Sequence, residues 1–102
     1  MVLEYIRYTM DAHEPEALIA AYAEGGKSLR SAPECLGYDL TRCEENANSL
    51  ILCIRWQSTD AHLEGFRKGP HFGPFLAAIR DFIPEITEMR HYATTPVSWQ
   101  RG

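Results

Sequence analysis

The chain has 102 residues, enough for one domain, and its 45% hydrophobic and 24% charged content is that of an ordinary globular protein rather than a disordered one. A formal net charge of −4 excludes the basic face that nucleic acid or an anionic membrane would need. No apolar run approaches the roughly 20 residues of a membrane span, and the opening Met-Val-Leu-Glu-Tyr-Ile-Arg-Tyr puts charge where a signal peptide is apolar, so a soluble, cytoplasmic protein is expected.

Val2 to Thr9, rich in β-branched and aromatic residues, predicts the first strand. A helix follows over Glu14 to Arg30, with Asp11 or His13 near its cap and Pro15 in its first turn. Leu18, Ala21, Tyr22, Gly25 and Leu29 recur at helical spacing as its core stripe. The pair Gly25-Gly26 weakens that helix by about 1 kcal/mol per glycine, which implies a close backbone approach or an early end. Leu36 to Glu44 predicts a second strand in which Leu36, Tyr38 and Leu40 alternate with Gly37, Asp39 and Thr41. The polar turn Glu45-Asn46-Ala47-Asn48 joins it to a third strand, Ser49 to Trp56, as a hairpin. Ser58 caps a short helix over Thr59 to Arg67, Gly69-Pro70 interrupts, and a second segment runs from His71 to Phe82 until Pro84 stops it. Glu85 to Tyr92 is the last strand.

The order βαββαβ predicts a ferredoxin-like α+β fold, a four-stranded antiparallel sheet with both helices on one face. The whole of 1–102 reads as a single domain, with no repeats or linkers. In the third strand Leu50, Leu52, Ile54 and Trp56 point one way and Ile51 and Cys53 the other. Two apolar faces need two covers, and the helices supply one. The second cover is expected to be another copy of the chain, with the tail 93–102, which carries Val97 and Trp99, docking on that partner.

Cys35, Cys43 and Cys53 form an odd set without a CxxC pair, so free thiols are expected, with a Cys35–Cys43 link as the alternative. Zinc-like spacing is missing. There is no GxGxxG or phosphate-cradling Lys-Ser/Thr, and no GxSxG elbow. Arg67, Lys68 and Arg80 read as solvated helix surface. His13 reads as a surface or capping residue. For His62, His71 and His91 the default is a structural hydrogen-bonded ring, and the functional reading is an imidazole that takes a proton near neutral pH. Trp56 is by default core.

The string Trp56-Gln57-Ser58-Thr59-Asp60-Ala61-His62, followed by Gly69-Pro70-His71-Phe72-Gly73-Pro74-Phe75, resembles the antibiotic biosynthesis monooxygenase family of dimeric α+β barrels. The likeness takes in the strands Cys35 to Leu40 and Leu50 to Trp56 and so nearly the whole chain. It implies a homodimer with a pocket between sheet and helices in each subunit. It also implies oxidation of a quinol- or anthrone-like aromatic by O₂ without cofactor, the substrate anion itself giving electrons to oxygen. On this reading Trp56 lines the pocket and holds substrate or reduced oxygen, and His62 acts as the base. Phe66, Phe72 and Phe75 form the apolar wall, with His71 beside them as a further binding candidate. Gly65 stands where many relatives carry histidine. Phe75 and Leu76 stand where the haem-degrading branch carries its iron ligand, and Tyr5, Arg7 and Tyr8 occupy the first strand where that branch has asparagine. No haem or metal is therefore expected. A non-catalytic binding or regulatory dimer is the alternative function.

Overall fold

A computed structural model describes residues 1–102. In chain order it contains β1 (Val2–Thr9), α1 (Pro15–Ser31), β2 (Cys35–Arg42) and β3 (Ser49–Trp56), then a π-helical turn (Ala61–Phe66), α2 (Phe72–Ile79), a 3-10 segment (Arg80–Glu85) and β4 (Ile86–Ala93). The four strands form one antiparallel sheet in the order β2-β3-β1-β4, the ferredoxin-like arrangement. No helix is long and apolar enough to cross a membrane.

Alternation decides which face each strand buries. Val2, Glu4, Ile6 and Tyr8 of β1 and Leu50, Leu52, Ile54 and Trp56 of β3 are buried beneath the helices. Leu18, Tyr22 and Leu29 of α1 and Phe75 and Ile79 of α2 close the core from above. The two glycines of α1 serve close packing, and the helix runs through them to Ser31. A Cβ on Gly25 would stand 3.4–3.5 Å from Ile79, Ala78 and Phe75, so α1 lies tight against α2. A Cβ on Gly26 would land on the Tyr38 hydroxyl.

Two local expectations need revision. Leu36 is half exposed and does not share a face with Tyr38 and Leu40, because the β2–β3 register shifts between Cys35 and Gly37. A bulge of this kind adds one residue and flips the alternation upstream of it. Pro84 does not end the helical stretch. After α2 the chain tightens into 3-10 geometry through Glu85. Glu14 stands at the α1 N-cap, without a side-chain cap, and His13 lies next to it, near the cap as expected. The hydroxyl of Ser58 does accept the Ala61 N–H at 2.9 Å, as a capping serine should. All three cysteines are free.

The loop between β1 and α1 is held by one carboxylate. Glu85 Oε1 accepts the backbone N–H groups of Asp11, Ala12 and His13 at 3.0, 2.6 and 3.1 Å, and Oε2 lies 3.0 Å from His13 Nδ1. Burial alone would raise its pKa, but the His13 ring and the three N–H groups outweigh that and hold it below the usual carboxylate value. Its stabilising contribution is therefore present at neutral pH and lost as pH falls through the lowered value. Glu85→Ala should lower the urea midpoint at pH 7, by about 1.5–3 kcal/mol of stability if charged hydrogen bonds behave as usual. An unchanged midpoint would show that water replaces the carboxylate without loss.

Candidate functional site

The site begins with an out-of-place charge. Glu4 sits mid-strand on the buried face and is only 2% exposed. Strand register puts it between Ile54 of β3 and His91 of β4. Two residues beyond Ile54 on the same face, Trp56 donates its Nε1–H to Glu4 Oε1 at 3.0 Å. His62 stacks flat on the Trp56 ring, with centroids 4.5 Å apart and planes 10° from parallel. Its Nε2 lies 3.6 Å from Glu4 Oε1, and its Nδ1 lies 2.8 Å from His91 Nε2.

The π-helical turn places the rest. The His62 carbonyl accepts the Arg67 N–H at 3.0 Å, a bond spanning five residues where an α-helix spans four. That extra residue per turn brings residues 62 and 67 to one side, where Arg67 Nε–H donates to His62 Nε2 at 3.3 Å. Arg67, read from sequence as solvated surface, is exposed but belongs to this cluster.

Burial pushes the Glu4 pKa up, against the hydrogen bond from Trp56 and the nearby His91 and Arg67. Burial also pulls His62 down to about 4, helped by the charges of Arg67 and His91. At neutral pH His62 is therefore an uncharged imidazole.

A cavity of about 220 Å³ opens beside this cluster. Glu4, Trp56, His62 and Arg67 form its polar end, and Phe66, Phe72 and Phe75 are among its apolar walls. Elsewhere in its lining Tyr8 and Tyr22 join hydroxyls at 2.5 Å. Burial raises both phenols, Tyr8 to about 12, so both are neutral. One hydroxyl donates within the pair, and the acceptor keeps a hydrogen of its own. The volume is below the 300–1,000 Å³ or so of drug-sized pockets, and suits a compact molecule.

The structure thus gathers Trp56, His62, Phe66, Phe72 and Phe75 at one cavity. His71 is not in its lining and instead stands at the α2 N-cap. The α2 side chains that line the cavity, including Phe75 and Leu76, are apolar and offer iron no ligand there. Glu4, His62 and His91 are the one grouping whose atom types could hold a metal, with ligand atoms within 4.8 Å of one another. The guanidinium on His62 Nε2 opposes a cation at that spot. Sequence reasoning missed Glu4 and Arg67. The inward phase of Glu4 with Val2, Ile6 and Tyr8 was a usable signal. Nothing in the sequence pattern announced the π turn.

A four-stranded antiparallel sheet with helices on one face, and a cavity between them that has a few convergent polar groups at one end, defines a ferredoxin-like α+β protein. The chain belongs to the antibiotic biosynthesis monooxygenase family, whose model matches residues 1–78. Its fold is similar to that of a Bordetella bronchiseptica protein assigned to the same family, at 19% identity and TM-score 0.79, with 92% of this chain and 96% of that one covered. It is also similar to SnoaB of Streptomyces nogalater, a cofactor-independent oxygenase, at 20% identity and TM-score 0.71, with 96% and 94% covered. In sequence it resembles YczJ of Bacillus subtilis, an uncharacterized protein, at 19% identity over 72 residues, which is 71% of this chain and 76% of that protein.

The depressed His62 makes stability depend on pH in a definite direction. Between its folded value of about 4 and the ordinary 6.5, only the unfolded chain takes up the proton, so stability falls as pH drops through that window. Glu4 acts oppositely: its raised value lets the folded form bind a proton first, adding stability as pH falls towards 4.5. Urea unfolding from pH 7 to 4 should therefore show a slope that flattens in His62→Gln, by up to about 1.4 kcal/mol per pH unit. Equal slopes in the two proteins would mean that His62 is not held neutral.

Proposed function

We propose that the protein is a cofactor-independent monooxygenase that oxidises a planar aromatic anthrone- or quinol-like molecule with O₂ and works as a homodimer. The observation that carries this reading is the stacked Trp56–His62 pair at the polar end of an otherwise apolar cavity. Triplet O₂ reacts slowly with closed-shell molecules, but an enolate or phenolate can supply an electron to it directly. The protein's task is then to make that anion affordable by excluding water, placing a base and offering a cation. Neutral His62 receives the proton released on anion formation without storing it, Trp56 holds the ring, and Arg67 at the lining faces the developing negative charge. The spare Tyr8–Tyr22 hydroxyl hydrogen suits a second oxygen of the substrate. The balance closes without added reductant: a CH₂ becomes C=O, one oxygen atom enters the product, and the other leaves as water.

The dimer is supported by the sheet face that the helices leave open. There Tyr5 meets Tyr92 edge-on at 5.4 Å, Arg7 faces Glu88 at 3.6 Å, and Ile51 is half-buried beside them. In the tail, Val97 and Trp99 are 91% and 75% exposed and dock on the partner in this reading. A haem-degrading role has no supporting ligand on α2, and a binding dimer without turnover is the alternative.

Oxygen uptake with a panel of anthrones and quinols, using flavin-free and metal-free protein, should give turnover at one O₂ per product. His62→Ala should cut the rate about 10²–10⁴-fold, and Trp56→Phe should be milder than Trp56→Ala. Turnover only with added flavin or metal sinks the mechanism, and tight binding without turnover supports the alternative. Separately, sedimentation of dilute protein should give a dimer; a stable folded species near 11.6 kDa would contradict it.

A further inference from the structure

The proton positions around His62 follow from donor counting. Arg67 Nε–H can only donate, so His62 Nε2 must accept. The single proton of neutral His62 then lies on Nδ1 and is donated to His91 Nε2 at 2.8 Å. Neutral His91 therefore carries its own proton on Nδ1. His91 is half-buried on β4, an edge strand, and its Nδ1 is neither hydrogen-bonded within the chain nor shut away, so water reaches it. At the other end, Glu4 Oε1 is taken by Trp56, while Oε2 makes no hydrogen bond and is likewise not shut away. Glu4 lines the cavity, so that free oxygen is open to a bound molecule.

We propose that Glu4 is the group that takes the substrate's proton, and that His62 and His91 carry it from the cavity to solvent at the β4 edge. This rests on the oxygenase reading above and assigns two residues that it does not use. The substrate's C–H or O–H bond breaks with both electrons left on the substrate, and a bond to Glu4 Oε2 forms. The carboxyl then turns so that its protonated oxygen takes the place of Oε1, 3.6 Å from His62 Nε2, Arg67 Nε–H withdraws from that nitrogen towards the substrate anion, and the proton passes to Nε2. His62 Nδ1–H moves to His91 Nε2, and His91 Nδ1–H goes to water. Both rings end in the opposite tautomer and Glu4 is again a carboxylate. When the oxygen–oxygen bond later breaks to leave water, a proton is required, and the same path run backwards returns it and restores the tautomers.

The surroundings favour a proton path over a metal site. At rest Arg67 places a cation beside His62 Nε2, and Trp56 holds the Glu4 oxygen nearest the ring. The charged and titratable groups facing the chain of transfer are Arg67 from the π turn, Tyr8 from β1, and the three members themselves. A His62 near pKa 4 cannot store the proton at neutral pH, which suits a conduit.

Nitrogen-15 histidine NMR on substrate-free protein tests the path, and kinetics with 1,8-dihydroxyanthrone and O₂ test the acceptor. His62 should appear as the Nδ1–H tautomer, with a scalar coupling across its hydrogen bond to His91 Nε2. Glu4→Gln keeps an oxygen for Trp56, so it should fold. It should lower kcat about 10²–10⁴-fold with KM nearly unchanged, and Glu4→Asp should recover part of the loss. His91→Gln should lower kcat less and be rescued by added imidazole, which a merely structural role would not allow. An Nε2–H tautomer at His62 overturns the path alone. Wild-type kcat in Glu4→Gln, or stoichiometric Zn²⁺ or Fe²⁺ whose removal abolishes turnover, overturns the proton role of the cluster. Absence of turnover by wild-type protein on the anthrone and quinol panel overturns the oxygenase reading and, with it, the acceptor role of Glu4.

Discussion

The hydrogen bond from Trp56 to Glu4 is the constraint around which the buried half of the molecule is arranged. A carboxylate beneath two helices is costly unless it is paired, since desolvation of an ion takes several kcal/mol even after relaxation. Here one oxygen has the indole N–H and the ring of His62 nearby, and the Arg67 charge lowers the energy of the ionised form. Removing Trp56 would therefore do more than open space. It would leave a buried carboxylate without its donor, and it would take away the flat surface on which His62 rests.

The π-helical turn is the second device. It is less favourable than continued α-helix and is used in short pieces, often at functional sites. Its effect here is concrete. By lengthening the turn it puts Arg67 against His62, and that contact alone decides which imidazole nitrogen carries the proton. A backbone irregularity of one residue thus reaches the protonation state of a ring, and through the ring the direction in which His62 and His91 can exchange a proton.

The sheet divides its labour by face. The helix side holds the core, the cavity and the polar cluster, while the open side carries Tyr5, Tyr92, half-buried Ile51 and ion pairs such as Arg55–Asp39 at 3.0 Å. Such pairs at partly exposed positions add little stability by themselves, so the open face gains most from a cover that keeps water from its aromatic and aliphatic groups. The cluster nonetheless depends on the edge, because His91 comes from β4, the outermost strand beside β1.

Much of this was legible in the amino-acid order. Strands such as Val2–Thr9 and Ser49–Trp56 alternate strongly enough that local pattern alone defines their ends, and the βαββαβ order then leaves few ways to pack. Trp56, His62 and the phenylalanines could be picked out because a strand-terminal tryptophan, a capped short helix and a Gly-Pro-x-Phe segment recur together in one family. Glu4 was half legible, by its inward phase in β1. What only tertiary structure decided is the company each group keeps. His91 meets Glu4 through a pairing of strands more than 80 residues apart, Arg67 meets His62 through a turn whose spacing no periodic template contains, and Leu36 is turned outward by a bulge in β2. Periodicity specifies which face a residue takes within its own element; hydrogen-bond accounting across elements specifies its chemistry, and that accounting exists only once the elements are packed.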